Sequence, residues 1–165
     1  MFSIRQAELR DAEAMFAVHK ASVLELCAKS YSATHLDSWF EDRTPEIYAP
    51  ALAAEQIWVA EQNGAVVGFV GAQPCEVTLL FVLPQATGQG IGGGLFARGL
   101  SAAEGDCSAP VVVVATLNSV SFYAGHGFVA VGEQWFERGG QSLRYPVVKM
   151  VRQGRARVPL GSADT

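Results

Sequence analysis

Apolar and polar positions change their period several times along the chain, and each change predicts an element. Phe2, Ile4 and Gln6 alternate with Ser3 and Arg5, which predicts a first strand. Asp11 stands where an N-cap belongs, ahead of an amphipathic helix from Ala14 through Ala28 that carries Met15, Val18, Val23, Leu24 and Leu26. Tyr31-Ser32 breaks that pattern. Ser32 can cap a second helix holding Leu36, Trp39 and Phe40, and Thr44-Pro45 opens a third, short one ending near Glu55. Gln56 to Glu61 then predicts a strand, Asn63-Gly64 a two-residue hairpin turn, and Ala65 to Ala72 the returning strand.

The most telling change of period lies between Cys75 and Leu100. Val77 to Leu83 is an apolar run of strand-favouring residues, ended by Pro84, which cannot extend a ladder. A Gly-rich turn follows, Gln85 to Gly90. Ile91, Leu95, Phe96 and Leu100 then recur at helical spacing. Strand, glycine loop and helix together predict a place where amides with no partner inside the helix, and the positive end of its dipole, meet a phosphate. The helix ends at Gly105-Asp106, and Val111 to Ala115 predicts a buried strand parallel to the first, closing a βαβ unit. A short helix opens at Asn118 or Ser119. Phe128–Phe136 and Leu143–Val151 predict the last strands, joined through Arg138-Gly139-Gly140-Gln141, and Gln153 to Thr165 predicts a fraying tail.

Three phosphate loops fit such a place. A P-loop needs Gly-Lys before Ser or Thr, and no Lys occurs from Ser30 to Val148. Gly88-Gln89-Gly90-Ile91-Gly92-Gly93 satisfies G-x-G-x-x-G, but a dinucleotide fold wants an acid after the next strand, where Ala115 and Thr116 stand. The third is a coenzyme A loop. Val82-x-Pro84, then Thr87-Gly88-Gln89-Gly90-Ile91-Gly92 and Leu95, resembles the acyl-CoA loop of the GNAT acetyltransferases. About thirty residues on, Asn118-Ser-Val-Ser-Phe122-Tyr123-Ala-Gly-His-Gly127-Phe128 resembles that family's second motif. The resemblance covers about residues 2–150, with the diagnostic residues in 75–128.

That resemblance implies an α/β (α+β) single domain over residues 1–152, with 153–165 as a flexible tail. Its sheet would be mixed and mostly antiparallel, flanked by helices, with one βαβ acyl-CoA unit. It also implies acetyl-CoA as cofactor, held by Leu80, Phe81, Val82, Thr87, Gly88, Gln89, Gly90, Ile91, Gly92, Gly93, Asn118, Phe122 and Tyr123. Tyr123 matches the family tyrosine that protonates the departing sulfur, and Asn118 the residue that bonds the pantetheine arm. Glu76, at the start of the strand, resembles the general base of some members; the position equally suits an exposed strand-end carboxylate. The backbone N–H of Phe81 or Val82 is the implied partner of the acyl carbonyl. One departure stands out. The family's Gln/Arg position falls on Thr87, unless Gln85-x-x-Gly88-x-Gly90 sets the register, and no Arg or Lys lies between Cys75 and Ala97. Phosphate binding is then left mainly to backbone N–H groups and Thr87.

Composition narrows the partners. The 165 residues are half apolar and 17% charged, a globular balance, with no run long enough to span a bilayer and no signal-peptide pattern. A net charge of −4 gives no reason to expect nucleic acid. Cys27, Cys75 and Cys107 are widely spaced, which predicts reduced thiols in a cytoplasmic protein and neither a disulfide framework nor a metal site. The acceptor expected is a primary amine of a small molecule or peptide, met in a ternary complex. A homodimer through edge strands is compatible with the pattern, and a non-catalytic acyl-CoA sensor is the rival function. His19, His35, Trp39 and Tyr48 lie where GNAT proteins line the acceptor site; packing roles for the aromatics, and surface or satisfied roles for the histidines, are the plainer expectation. Arg152, Arg155 and Arg157 read as solvated.

Overall fold

The computed structural model describes residues 1–105, 107–136 and 144–153. The predicted connection at 138–141 and nearly all of the predicted tail lie outside them. Seven strands form one sheet in the order β1-β2-β3-β4-β5-β7-β6. They are β1 (Phe2–Gln6), β2 (Ile57–Gln62), β3 (Ala65–Gln73), β4 (Glu76–Val82), β5 (Val111–Ala115), β6 (Val129–Phe136) and β7 (Tyr145–Arg152). The first four pair antiparallel in succession: β2, β3 and β4 form the predicted meander, with the Asn63-Gly64 turn joining β2 to β3, and β1 pairs with β2 after the helical segment. β4 and β5 are parallel, joined by the helix between them. The helices are α1 (Ala12–Leu26), α2 (Ala33–Trp39), α3 (Ala49–Ala53), α4 (Ile91–Gly105) and α5 (Val120–Ala124).

The two faces of the sheet carry separate cores. α4 lays Ile91, Leu95 and Phe96 against Val70, Val77, Leu80 and Val82. α1 lays Met15 and Val18 against Val59, Phe69, Leu79 and Phe81 on the other face. A third cluster joins Val23, Cys27, Tyr31 and Trp39 to Tyr145 and Val147, with the Trp39 and Tyr145 rings stacked 3.9 Å apart. The packing role expected of Trp39 and Tyr48 is what the fold shows: both are buried. His19 is buried as well, its Nδ1 2.8 Å from the Tyr48 hydroxyl.

Three local expectations change. Ser32 caps α2 by accepting the His35 N–H, but Asp11 does not cap α1. Its carboxylate takes the Glu8 N–H and a two-pronged ion pair from Arg5, at 2.8 and 2.9 Å, because Arg5 on β1 points at the turn that leads into the helix. The predicted third helix divides into a 3-10 turn, Pro45–Tyr48, and α3, with Pro50 near the junction. The thiols differ most. Cys75 and Cys107 form a disulfide across 32 residues of sequence, with Cα atoms 5.1 Å apart, and Cys27 is the buried free cysteine. The return of the βαβ unit brings the end of α4 beside the start of β4, a proximity that sequence spacing hides. The inference from free thiols to a reducing compartment therefore falls. Among the described residues no helix is long and apolar enough to cross a membrane, and no cluster of ligating side chains could hold a metal ion.

Candidate active site

The site begins at a hinge. β4 and β5 pair only at Glu76↔Val112 and Val77↔Val113, and then part. The gap is a cleft of about 430 Å³ through the sheet, with β4 on one side and Val114, Thr116, Asn118, Ser119, Phe122 and Tyr123 on the other. A β-bulge shapes the β4 wall. Gly71 faces Leu79 and Ala72 faces Val77, so Thr78 is the extra residue. A Cβ on Gly71 would sit 2.6 Å from Thr78 Oγ1, so the bulge requires glycine there. The bulge also resets the alternation. Val77, Leu80 and Val82 face α4, and Leu79 and Phe81 face α1. Plain strand alternation, which puts Glu76, Thr78, Leu80 and Val82 on one face unless a bulge intervenes, is broken by this bulge. The N–H of Leu83 is taken by Val67 O. By the two-residue alternation of the ladder, the amides of Leu80 and Val82 then point toward the gap.

At the mouth of the gap the chain makes a 3-10 turn, Pro84–Ala86, and swings into α4 through Gly88 and Gly90, whose φ values are +77° and +81°. The first bond into the helix runs from Gly94 N–H to Gly90 O; no N–H from Gly88 to Gly93 meets a backbone acceptor among the described residues. The glycines here are not demanded by packing. A Cβ added at Gly88, Gly90 or Gly93 would meet nothing within 4 Å, whereas one at Gly94 would touch the Phe2 ring at 3.3 Å. Open space over a row of free amides fits a diphosphate, for which charge-assisted bonds from backbone N–H are strong. Thr87 borders the cleft, but its hydroxyl donates to Pro84 O at 2.8 Å.

On the far wall, Tyr123 is 7% exposed and packed among Phe96, Phe122 and Phe128. Burial pushes its phenol well above the ordinary tyrosine range, so it stays protonated. Asn118 is not a helix cap. Its Oδ1 accepts from the thiol of Cys27 at 3.2 Å, a bond between elements 91 residues apart. Burial pushes that thiol up to about 11, which keeps it a donor and no nucleophile.

Eleven of the expected site residues border the cleft: Leu80, Phe81, Val82, Thr87, Gly88, Gly90, Gly92, Gly93, Asn118, Phe122 and Tyr123. Three do not. Ile91 is buried in the α4 core. Gln89 turns outward, its amide oxygen accepting from Gln62 and its nitrogen reaching Gln85 O. Glu76 stands at the joined end of the hinge, its carboxylate accepting from Gln73 at 2.7 Å. Sequence reasoning missed Ser22, Leu26 and Cys27, which close the cleft on the α1 side, and Thr78, Leu79, Val114, Thr116 and Ser119. No local pattern marks them; a Ser in mid-helix and a Cys at a helix end look like ordinary α1 residues.

Residues 27–148 match the family model for the acetyltransferase (GNAT) domain. The N-acetyltransferase YafP of Escherichia coli (strain K12) is 28% identical over 140 residues, 83% of this chain and 87% of that protein. Among solved structures, a GCN5-related N-acetyltransferase from Rhodopseudomonas palustris is 24% identical, with a TM-score of 0.79 over 92% of this chain and 94% of its own. The PaiA N-acetyltransferase of Thermoplasma acidophilum in complex with coenzyme A is 20% identical, with a TM-score of 0.70 over 93% of this chain and 99% of its own. The fold, the splayed parallel pair and the match over most of the length agree: this chain belongs to the GNAT acetyltransferases and is an acyltransferase.

Proposed function

We propose that the protein moves an acetyl group from acetyl-CoA to a primary amine of a small molecule or peptide, by direct attack in a ternary complex. The observation that carries this reading is the row of unpaired amides from Gly88 to Gly93, opening onto a cleft with Tyr123 on its far wall. A neighbour of the same fold is known with coenzyme A bound, which supports the cofactor. When bound, acetyl-CoA supplies an activated acetyl group: the amine nitrogen bonds its carbonyl carbon as the carbon–sulfur bond breaks.

The chain's residues have five tasks. The amides of Gly88 to Gly93 hold the diphosphate. Asn118, fixed through Oδ1 by Cys27, presents its Nδ2 hydrogens to the pantetheine arm. The Val82 N–H, aimed at the gap, receives the carbonyl oxygen, where negative charge grows. The Tyr123 hydroxyl, neutral and without a hydrogen-bond partner among the described residues, gives its proton to the departing sulfur. Glu76 serves as base only at one remove. It stands beyond the walls of the cleft, so the amine's proton reaches it through water. The reading includes a homodimer joined at β6, an edge strand exposed along nearly its whole length, with Val129, Val131 and Trp135 facing solvent.

The test pairs calorimetry with transfer. Coenzyme A should bind saturably, and isotope-labelled acetyl-CoA should label an amine from a panel. Tyr123→Phe should lower kcat at least tenfold while changing the KM for acetyl-CoA less than threefold. Unchanged kcat removes Tyr123 from the chemistry, and absence of any coenzyme A binding overturns the whole reading.

A further inference from the structure

The cleft passes through the sheet, and its two ends differ. Toward α4 lies the glycine loop. Toward α1 lie Ser22, Leu26 and Cys27, grouped on one side of that helix by their spacing. Two reactants entering from opposite faces would meet in the gap, so the α1 end is where a partner for the thioester arrives.

Ser22 is the odd residue of that end. It is 6% exposed, yet its hydroxyl makes no hydrogen bond to any described residue. Of the other buried or half-buried polar groups of the walls, Cys27 donates to Asn118, the Thr116 and Ser119 hydroxyls lie 2.9 Å apart, and the Tyr123 hydroxyl, also without a partner among the described residues, stands on the opposite wall with its own task at the sulfur. A buried hydroxyl without a partner weakens a fold, and alanine at mid-helix would be favoured over serine. A group that costs stability and borders a cleft is best explained by a bond made only when the cleft is filled.

We infer that the Ser22 hydroxyl is the hydrogen-bonding contact of the acceptor amine, and that the acceptor is a primary amine on an apolar body. Around Ser22 the wall offers Leu26, Leu79 and Phe81, and no charged side chain among the described residues borders the cleft. Such a surface suits an arylalkylamine and gives a polyamine's extra charges nothing to pair with. Ser22 Oγ accepts an N–H of the amine and turns its lone pair toward the thioester, an orienting contact. The inference rests on the acetyl-transfer reading but is tested apart from it.

The probes are phenethylamine and spermidine, titrated by calorimetry into the CoA-saturated protein and into its Ser22→Ala variant, alongside steady-state rates with acetyl-CoA. Phenethylamine should bind the parent more tightly than spermidine. Ser22→Ala should weaken phenethylamine binding, and raise its KM, by about tenfold. The variant's affinity for CoA alone should stay within twofold of the parent's, and its Tm should equal or exceed the parent's. A lower Tm would mean that the hydroxyl has a structural task and overturns the inference. Equal phenethylamine affinity in parent and variant overturns it whatever the turnover, and so does failure of the parent to bind phenethylamine. A protein that binds phenethylamine through Ser22 but transfers no acetyl group would sink the acetyl-transfer reading and leave the contact standing.

Discussion

Gly93 shows how a single position can be paid for in stability and returned in binding. A Cβ there meets no protein atom, so Gly93→Ala relieves a helix glycine and should stabilise the fold by about 0.5–1 kcal/mol. On the proposed function, the same methyl group intrudes on the amides that would face the diphosphate. Thermal melts should therefore show a small rise in Tm and calorimetry at least a threefold loss of affinity for coenzyme A; loss of both, or of neither, would mean that the open space is not a ligand's. Asp11 makes the opposite case, a charge kept for stability. The Arg5 guanidinium holds its carboxyl below the ordinary carboxylate range, helped by the Glu8 N–H. A group with a depressed folded pKa contributes its stability above the unfolded value, near 4, and loses it as pH falls through the folded one. Asp11→Asn should thus cost about 1–3 kcal/mol at pH 7, and progressively less as pH drops below about 4. Urea melts across pH 2–7 would show the difference shrinking toward acid. Of these side chains, the glycines of the loop were legible in the sequence because the motif is contiguous. The partnership of Asp11 with Arg5 was not, since cap and ion pair use the same carboxylate and only the turn between them chooses.

Among elements, the βαβ unit carries the site, and two features decide its shape. The bulge at Thr78 turns Leu79 and Phe81 to one face and Leu80 and Val82 to the other, where plain alternation predicts a single register. Nothing in Glu76–Val82 announces it; the signal is Gly71 on the partner strand, whose missing Cβ makes room for the Thr78 hydroxyl. The second feature is the Cys75–Cys107 clasp, one residue from the short pairing of β4 with β5. At the same node Cys75 N–H donates to Ala103 O, and its carbonyl accepts from Val112 N–H. Closing 32 residues of chain should stabilise the fold by about 3.5–4 kcal/mol through the unfolded state. Replacing both cysteines by serine should lower Tm by roughly 7–15 °C. A dithiol reductant should produce the same fall in the parent and none in the double variant. A parent whose Tm ignores the dithiol would show that the clasp contributes nothing to stability.

Taken together, the sheet puts the glycine loop on the α4 face and the wall of Ser22, Leu26 and Cys27 on the α1 face, and it leaves β6 as an open edge. Trp135 is 63% exposed on that edge. If β6 joins two copies, Trp135→Glu should convert a dimer to a monomer in sedimentation or gel filtration with little change in monomer Tm; a parent that sediments as a monomer at micromolar concentration would exclude the dimer. Strand and helix order, the parallel pair, the glycine loop and Tyr123 could be taken from the chain alone, because each depends on neighbours in sequence: a period, a turn dipeptide, a contiguous motif. Ser22 at the cleft, Cys27 on Asn118, Glu76 outside the wall and the bond between Cys75 and Cys107 waited on folding. Each depends on where two distant segments come to rest, and that is fixed by how α1 and α4 pack on opposite faces of one twisted sheet.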